Sequence, residues 1–300
     1  MKKIRAAVIG YGNIGKYAVD AILAAEDFEL AGIVLREGSK NQPLTALKFI
    51  DEETDISALG HVDLVLLCKT SRQIEEYATI YLSRGIHTVD SFDIHSGIVA
   101  LRRSLEAVAK KGNAVAVIAA GWDPGSNSVL RSLLEAAAPV GITYTNFGPG
   151  MSMGHSTVVR SKPGVKDALS ITIPLGTGIH RRMVYVQLEE TAELESVTQA
   201  IKSDDYFRRD ETHVIQVEDV SALADAGHGV HISRKARAGS TDNQLFNFEM
   251  RINGPALTAQ IMLSCARAAM RQKPGAYTMV ELPLIDLLPG DREAHIERLV

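Results

Sequence analysis

Cysteine is scarce in this 300-residue chain: there are two, Cys68 and Cys265, far apart in the sequence. That excludes a disulfide framework or a zinc cluster, which need more thiols at closer spacing. Two reduced thiols in packed elements fit a reducing cytoplasm. Aromatic residues make up only 5%, with a single Trp, which excludes a stacking platform for single strands. Positive charge is not in excess, 32 Lys and Arg standing against 36 Asp and Glu for a net charge of −4. Nucleic-acid binding and a polybasic membrane role, both built on clustered cations, are therefore not expected. No apolar run approaches the ~18 residues of a membrane span. Lys2, Lys3 and Arg5 before an apolar stretch imitate a secretion signal, but Gly10, Tyr11, Gly12 and Asn13 interrupt it. What remains is an ordinary globular composition, 46% hydrophobic and 23% charged, long enough for roughly two domains.

The first half alternates short apolar runs with helical spacing. Residues 4–9 read as a buried strand, and 14–25 as a helix with Ile14, Ala18, Ala21, Ile22 and Ala25 on one side. Strands follow at 29–35, 63–68, 86–90 and 114–119, and helices at 71–84, 96–111 and 126–138. Continuous apolar strands between helices imply βαβ units and a parallel sheet covered on both faces. From about 142 to 252 the strands lengthen and alternate, at 142–147, 168–174, 183–188, 213–218, 229–235 and 244–252. Only 193–202 in that stretch reads clearly as a helix. This predicts a mostly antiparallel sheet with one wet face, hence an α+β domain. The Ala-, Leu- and Met-rich stretch 255–271, opened by Pro255, is a helix expected to return to the first domain. The expected layout is 1–123 with 253–300 around an inserted 124–252.

Gly10-Tyr11-Gly12-Asn13-Ile14-Gly15 matches G-x-G-x-x-G between a strand and a helix, the context the motif requires. Gly10 permits the turn, Gly12 lets a pyrophosphate approach, and Gly15 lets helix and strand pack closely. The helix N-terminus then offers free N–H groups to the phosphates. The first domain is thus expected to be a doubly wound, Rossmann-type nucleotide binder. At the end of the second strand Arg36 suits the 2′-phosphate of NADP, while the adjacent Glu37 suits the ribose of NAD; NADP is the favoured reading.

Ligands of such sheets bind beyond the carboxyl ends of the strands. There stand Asp90-Ser91-Phe92-Asp93 and Gly121-Trp122-Asp123-Pro124-Gly125. Asp93 and Asp123 suit a cationic group such as an ammonium. Each also has a structural alternative, Asp93 as a helix cap and Asp123 as a turn former. The later half adds polar groups bracketed by glycine, among them His180-Arg181-Arg182 and Gly227-His228-Gly229. The nine histidines lack metal-ligand spacing, and no metal is expected; hydride transfer needs none.

These segments, with Phe147-Gly148-Pro149-Gly150 and Gly154-His155-Ser156, resemble the meso-diaminopimelate dehydrogenase family over nearly the whole chain. The resemblance implies NADP-dependent oxidative deamination at the D-centre of meso-2,6-diaminopimelate. The product, L-2-amino-6-oxopimelate, cyclises to tetrahydrodipicolinate on the lysine and cell-wall branch. It implies a homodimer in which the second domain binds substrate and dimerises. Carried over by position, the cofactor would touch Gly10, Tyr11, Gly12, Asn13, Ile14, Gly15, Arg36, Thr70, Ser71, Ser91, Phe92 and Gly121. Asp93 and Asp123 would hold the reacting amino end, beside Trp122. Phe147, Met153, Gly154, Thr172, Arg182, His228 and Asn253 would line the rest of the pocket. Arg182 and Thr172 are the best carboxylate ligands on chemical grounds.

The chain departs from the family's best-known pattern at Phe147, where some members have Trp, and at Met153, where some have Gln. Glu37 replaces a second arginine, and the segment between Ile173 and His180 is short. These features resemble a shorter subgroup. The nearest rival reading is another NADP-dependent amino acid dehydrogenase or an imine reductase; a non-catalytic NADP-binding regulator comes after it.

Overall fold

The computed structural model describes residues 3–36, 46–52, 54–223 and 227–300. In chain order the elements are β1 (Ile4–Ile9), α1 (Asn13–Ala24), β2 (Phe28–Leu35), β3 (Phe49–Asp51), β4 (Leu64–Leu67), α2 (Ile74–Leu82), β5 (His87–Asp90), α3 (Ile98–Lys111), β6 (Val115–Ile118) and α4 (Asn127–Ala137). Then come β7 (Val140–Phe147), β8 (Gly150–Met151), α5 (Met153–Arg160), β9 (Val165–Gly176), β10 (Ile179–Leu188), α6 (Leu194–Lys202), β11 (Glu211–Gln216), β12 (Gly227–Ala238), β13 (Thr241–Asn253), α7 (Gly254–Ala269), β14 (Gly275–Thr278) and α8 (Arg292–Leu299). They form two compact units, Met1–Leu130 with Pro255–Val300, and Arg131–Gly254. The borders thus fall after 130 and 254 rather than after 123 and 252. The first turn of α4 stays with the first unit because Val129 packs against its core.

The first unit is a seven-stranded sheet in the order β14-β6-β5-β4-β1-β2-β3. Every neighbouring pair is parallel. The period-2 alternation of strands sends Val8, Leu64, Leu66, Val115 and Val117 into one core. It sends Ile9, Val65, Leu67, Ala116 and Ile118 into the core on the other face. Both faces are therefore covered, which is why these strands read as unbroken apolar runs. Helix α7 does return here, through Ala259, Met262, Leu263, Cys265, Ala266 and Ala269. Burial pushes both cysteine thiols up to about 12, so neither is a thiolate at neutral pH.

The second unit differs from the single sheet expected. It has a four-stranded sheet, β11-β10-β9-β8, and a separate three-stranded one, β13-β12-β7. All pairs are antiparallel except β10 with β11, which is parallel. A second correction is α5, where the sequence pattern predicts no regular structure. Its Gly154, Thr157, Val158 and Val159 are weak helix formers, so propensity pointed away from it. Tertiary bonds hold it instead. Ser156 Oγ donates to the Ser152 carbonyl at 2.7 Å and accepts from the Ser170 amide at 2.9 Å. The local core of this unit joins Val159, Val165, Val184, Val186, Val197, Ile201 and Phe207.

Arg267 fastens α7 to the start of β2. Its guanidinium holds both Asp27 oxygens, at 2.5 and 3.0 Å, donates to the Leu287 carbonyl at 2.9 Å, and stacks 5.2 Å from the Phe28 ring. Breaking a buried pair costs about 3 kcal/mol, and the partial exposure of Asp27 reduces this to about 2 kcal/mol for Arg267→Ala. The Arg267 hydrogen bond holds Asp27 below the usual carboxylate range. Its stabilisation is thus present above the unfolded value of 3.8 and is lost as pH falls through the folded one. Urea unfolding followed from pH 7 down to pH ~3 should show this acid loss in the wild type and a smaller one in Arg267→Ala.

Candidate active site

The turn between β1 and α1 is built as a cradle. Gly10 has φ +97° and lies so close to the Cys68 carbonyl that a Cβ would sit 2.7 Å from it. At Gly15 a Cβ would stand 2.1 Å from the Gly10 carbonyl, so α1 crosses the strand end in direct backbone contact. At Gly12 a Cβ would meet nothing within 4 Å. Gly10 and Gly15 are thus required by the fold, whereas Gly12 faces open space. Gly12 is also the N-cap of α1, with no side-chain cap and no acidic residue in the first turn. The N-terminal amides and the positive helix end are therefore available to an anion. Tyr11 and Ile14 are half-buried and Asn13 is exposed.

Arg36 is exposed just beyond β2, and Glu37 lies outside the described residues. A second cation that sequence reasoning passed over, Lys69, stands nearby. Its stem passes 3.6 Å from the Gly10 Cβ position, and its ammonium lies 4.5 Å over the Tyr77 ring and pairs with Glu52. Burial, with the charge of Arg36, lowers its pKa. Thr70 Oγ1 donates to Gln73.

The turns after β5 and β6 carry the two acids. Ser71 Oγ donates to Asp93 Oδ1 at 2.5 Å, and the Asp93 amide donates back to Ser71 Oγ at 3.1 Å. Asp93 therefore does not cap a helix; α3 begins behind Gly97, with no side-chain cap. Asp123 has extended dihedrals (φ −135°, ψ 127°) inside the turn Trp122–Ser126. Its Oδ1 accepts from Asn127 Nδ2 at 3.0 Å, and its Oδ2 lies 3.1 Å from His95 Nε2. Phe92 is buried beneath. Ser91 touches Gly121, whose Cβ position is 3.5 Å from the Ser91 Cβ. Asp90, fully buried, accepts from the Phe92 and Ala119 amides at 2.9 and 3.0 Å, and burial pushes its pKa up to about 7.

In the second unit Arg182 and Thr172 face each other across β10 and β9. Arg182 donates to Thr172 Oγ1 and, at 2.6 Å, to Asp210. Both residues are buried. His180, two residues along, accepts from the Phe147 amide at 2.7 Å. Burial and the Arg182 charge lower its pKa, so it stays neutral and pins Phe147 in place. His228 lines a cavity of about 480 Å³ between Gly148–Met151, Ile171, Gly227–His231 and Glu249–Ile252. Met153 and Gly154 open α5, and exposed Asn253 ends β13. His155, the most reactive-looking residue of its motif, is packed away. It bonds Ser152 and the Tyr206 carbonyl, stacks edge-on against Tyr206 and Phe207, and burial lowers its pKa to about 3.

A family model described as the diaminopimelic acid dehydrogenase C-terminal domain matches residues 121–180. The meso-diaminopimelate D-dehydrogenase of Bacteroides fragilis is 60% identical over 100% of both chains. The chain belongs to the meso-diaminopimelate D-dehydrogenase family. Among solved structures, the diaminopimelate dehydrogenase of C. glutamicum in complex with diaminopimelate superposes with a TM-score of 0.90 at 28% identity. An engineered D-amino acid dehydrogenase bound to NADP+ gives 0.90 at 27%. In both cases the match spans 100% of each chain. As a family member the protein is an oxidoreductase acting on CH–NH2 donors with a nicotinamide cofactor, and the glycine cradle fits that group.

Sequence reasoning missed the residues that hold the named ones in place: His95, Asn127 and Asp210. For His95 the signal was its place two residues after Asp93, and for Asn127 its i+4 spacing from Asp123. Asp210 lies too far from Arg182 in sequence for any local pattern to find it. The cradle yields a prediction. Gly12→Ala should keep the wild-type melting temperature and weaken dinucleotide binding at least ~10-fold, about 1.4 kcal/mol. Gly15→Ala should fail to give a stably folded first unit. Thermal melts and calorimetric titration with the dinucleotide separate the two.

Proposed function

We propose that this enzyme catalyses the NADP-dependent, reversible oxidative deamination of meso-2,6-diaminopimelate at its D-centre. The observation that carries this reading is the pair of carboxylates, Asp93 and Asp123, fixed by side-chain bonds just beyond adjacent strands of the first unit. A diamino acid offers an ammonium to such a pair. The names of the relatives and the diaminopimelate complex of the C. glutamicum structure support it. The exposed Arg36, with Lys69 beside it, suits a 2′-phosphate, which favours NADP over NAD.

The dinucleotide would lie along the Gly10–Gly15 turn, Arg36, Thr70, Ser71, Ser91, Phe92 and Gly121, and supplies the acceptor for the substrate's Cα hydride. Asp93, fixed by Ser71, orients the D-ammonium. Asp123 takes the proton that the ammonium must lose before its C–H bond can be oxidised. His95, over half exposed, passes that proton to solvent. Both carboxylates then stabilise the cationic iminium of the substrate. Water adds to its carbon, ammonia leaves, and L-2-amino-6-oxopimelate closes to tetrahydrodipicolinate on the lysine branch. Arg182 binds a substrate carboxylate through its planar fork. His228 and Asn253 bind the distal L-centre. Phe147, Met153 and Gly154 are the candidate lining residues of the second unit, and Trp122 stands next to Asp123 in the first.

We also infer a homodimer. Strand β13 holds Phe246, Phe248, Met250 and Ile252 half-buried on one face, beside the fully buried Val230 and Ile232 of β12. That apolar row suits a second copy. Among the described residues no helix is long and apolar enough to cross a membrane. A cytoplasmic setting accords with the reduced thiols.

An NADP+ reduction assay over D-, L- and meso-amino acids, repeated with NAD+, tests the reading. Activity on meso-diaminopimelate with a strong NADP preference is expected. Activity on another amino acid alone would overturn the substrate. Asp93→Asn and Asp123→Asn should each lower kcat/KM at least ~100-fold, and turnover unchanged in both would remove them from the mechanism.

A further inference from the structure

We propose that Asp90, which touches neither substrate nor cofactor in the reading above, is the positioning residue of the reaction. One of its carboxylate oxygens ties the turn carrying Asp93 to the turn carrying Asp123 and so sets how the two acids face the substrate. The proposal rests on the reading that those acids hold the reacting amine.

Asp90 closes β5 and has no exposed surface. Its Oδ1 accepts two backbone amides, one from each turn: Phe92 at 2.9 Å and Ala119 at 3.0 Å. Its own carbonyl accepts the Ala120 amide at 2.7 Å. Side chain and main chain of this one residue therefore grip three amides, one on the turn after β5 and two consecutive ones after β6. The residue on the far side of the grip is unusual. Ala119 has φ +55°, a left-handed conformation that alanine adopts rarely without external support. From Ala119 the chain runs directly into Gly121, Trp122 and Asp123. On the near side, the bond from Phe92 to Asp90 is a side-chain turn that brings Asp93 out beside Ser71. The other oxygen, Oδ2, is buried and has no hydrogen-bond partner among the described residues. A carboxylate kept in so apolar a place is costly, and no ion pair among the described residues offsets it. Burial raises its pKa to about 7, yet Oδ1 can accept both amides whether the acid is ionised or neutral. The group is thus suited to holding backbone rather than to carrying charge.

Three variants test this. Asp90→Asn keeps an oxygen able to accept both amides and should retain most of the turnover. Asp90→Ser can still bond the Phe92 amide locally but is too short to reach Ala119 as well. It should lose about 100-fold in kcat, the scale of a 1 Å misplacement, with correctly folded protein. Asp90→Ala should lose at least as much; if it does not fold, the Asn and Ser pair decides. The discriminating readout is a double-mutant cycle in kcat with Asp123→Asn. A residue acting through Asp123 adds little to the loss already present, whereas a merely structural residue adds its full loss. Full additivity, wild-type kcat in Asp90→Ser, or equal losses in Asn and Ser would each overturn the proposal. If instead Asp93→Asn and Asp123→Asn keep wild-type kcat, the underlying assignment of the two acids fails and the proposal falls with it.

Discussion

Parallel pairing is the constraint from which the rest follows. Seven strands running the same way bring every carboxyl end to one edge. The side chains that follow β1, β4, β5 and β6 are gathered there, although Gly10 and Asp123 are far apart in sequence. The order reverses between β4 and β1, which opens a crevice beyond the strand ends. The α1 N-terminus, Ser71 and Asp93 stand on segments that leave this edge. The burial of both faces is what makes the arrangement rigid enough to orient a reacting centre.

Local environment then decides what chemically identical groups do. Asp90, Asp93 and Asp123 are all aspartates at strand ends. Asp90 is sealed in apolar surroundings and grips backbone, whereas Asp93 and Asp123 are held by side chains and stand at partly buried positions. The arginines of the second unit divide in the same way. Arg234 is almost wholly buried and spends its donors on the Ala138 carbonyl and Thr143 Oγ1, closing the end of α4. Arg182 instead donates to the Asp210 carboxylate and to Thr172 Oγ1. Of three histidines near the family motifs, His155 and His180 serve packing and positioning.

The parallel unit was legible in the sequence because its strands are buried on both faces and its glycine turn needs particular residues at fixed spacing. The return of α7 was legible too, since an Ala-, Leu- and Met-rich helix needs a core to cover it. The division of the second unit into two sheets was not. Alternating strands report that one face is buried but not which partner covers it, and the parallel pairing of β10 with β11 leaves no local mark. Nor was α5 legible, because side-chain bonds from Ser156 and packing by Val159 override weak propensity. At the site, named chemistry was easier to read than its support. A glycine-bracketed aspartate, Asp123, is visible in sequence, but the His95 and Asn127 atoms that hold it, like the Ser71 hydroxyl on Asp93, are set by the fold. The substrate-pocket positions rest on the resemblance, because spacing alone does not point to them.

The return of α7 also orders events during synthesis. The edge strand β14 (Gly275–Thr278) pairs with β6 (Val115–Ile118), and α7 covers a core begun by β1. The first unit is therefore complete only after Gly275–Thr278 has left the ribosome. The inserted unit, contiguous from Arg131 to Gly254, has all its strands available earlier. A nascent chain thus holds every strand of the insert while the parallel sheet still lacks an edge strand and part of the helical cover of one face. That interval exposes the apolar strand surfaces to chaperones and to other nascent chains.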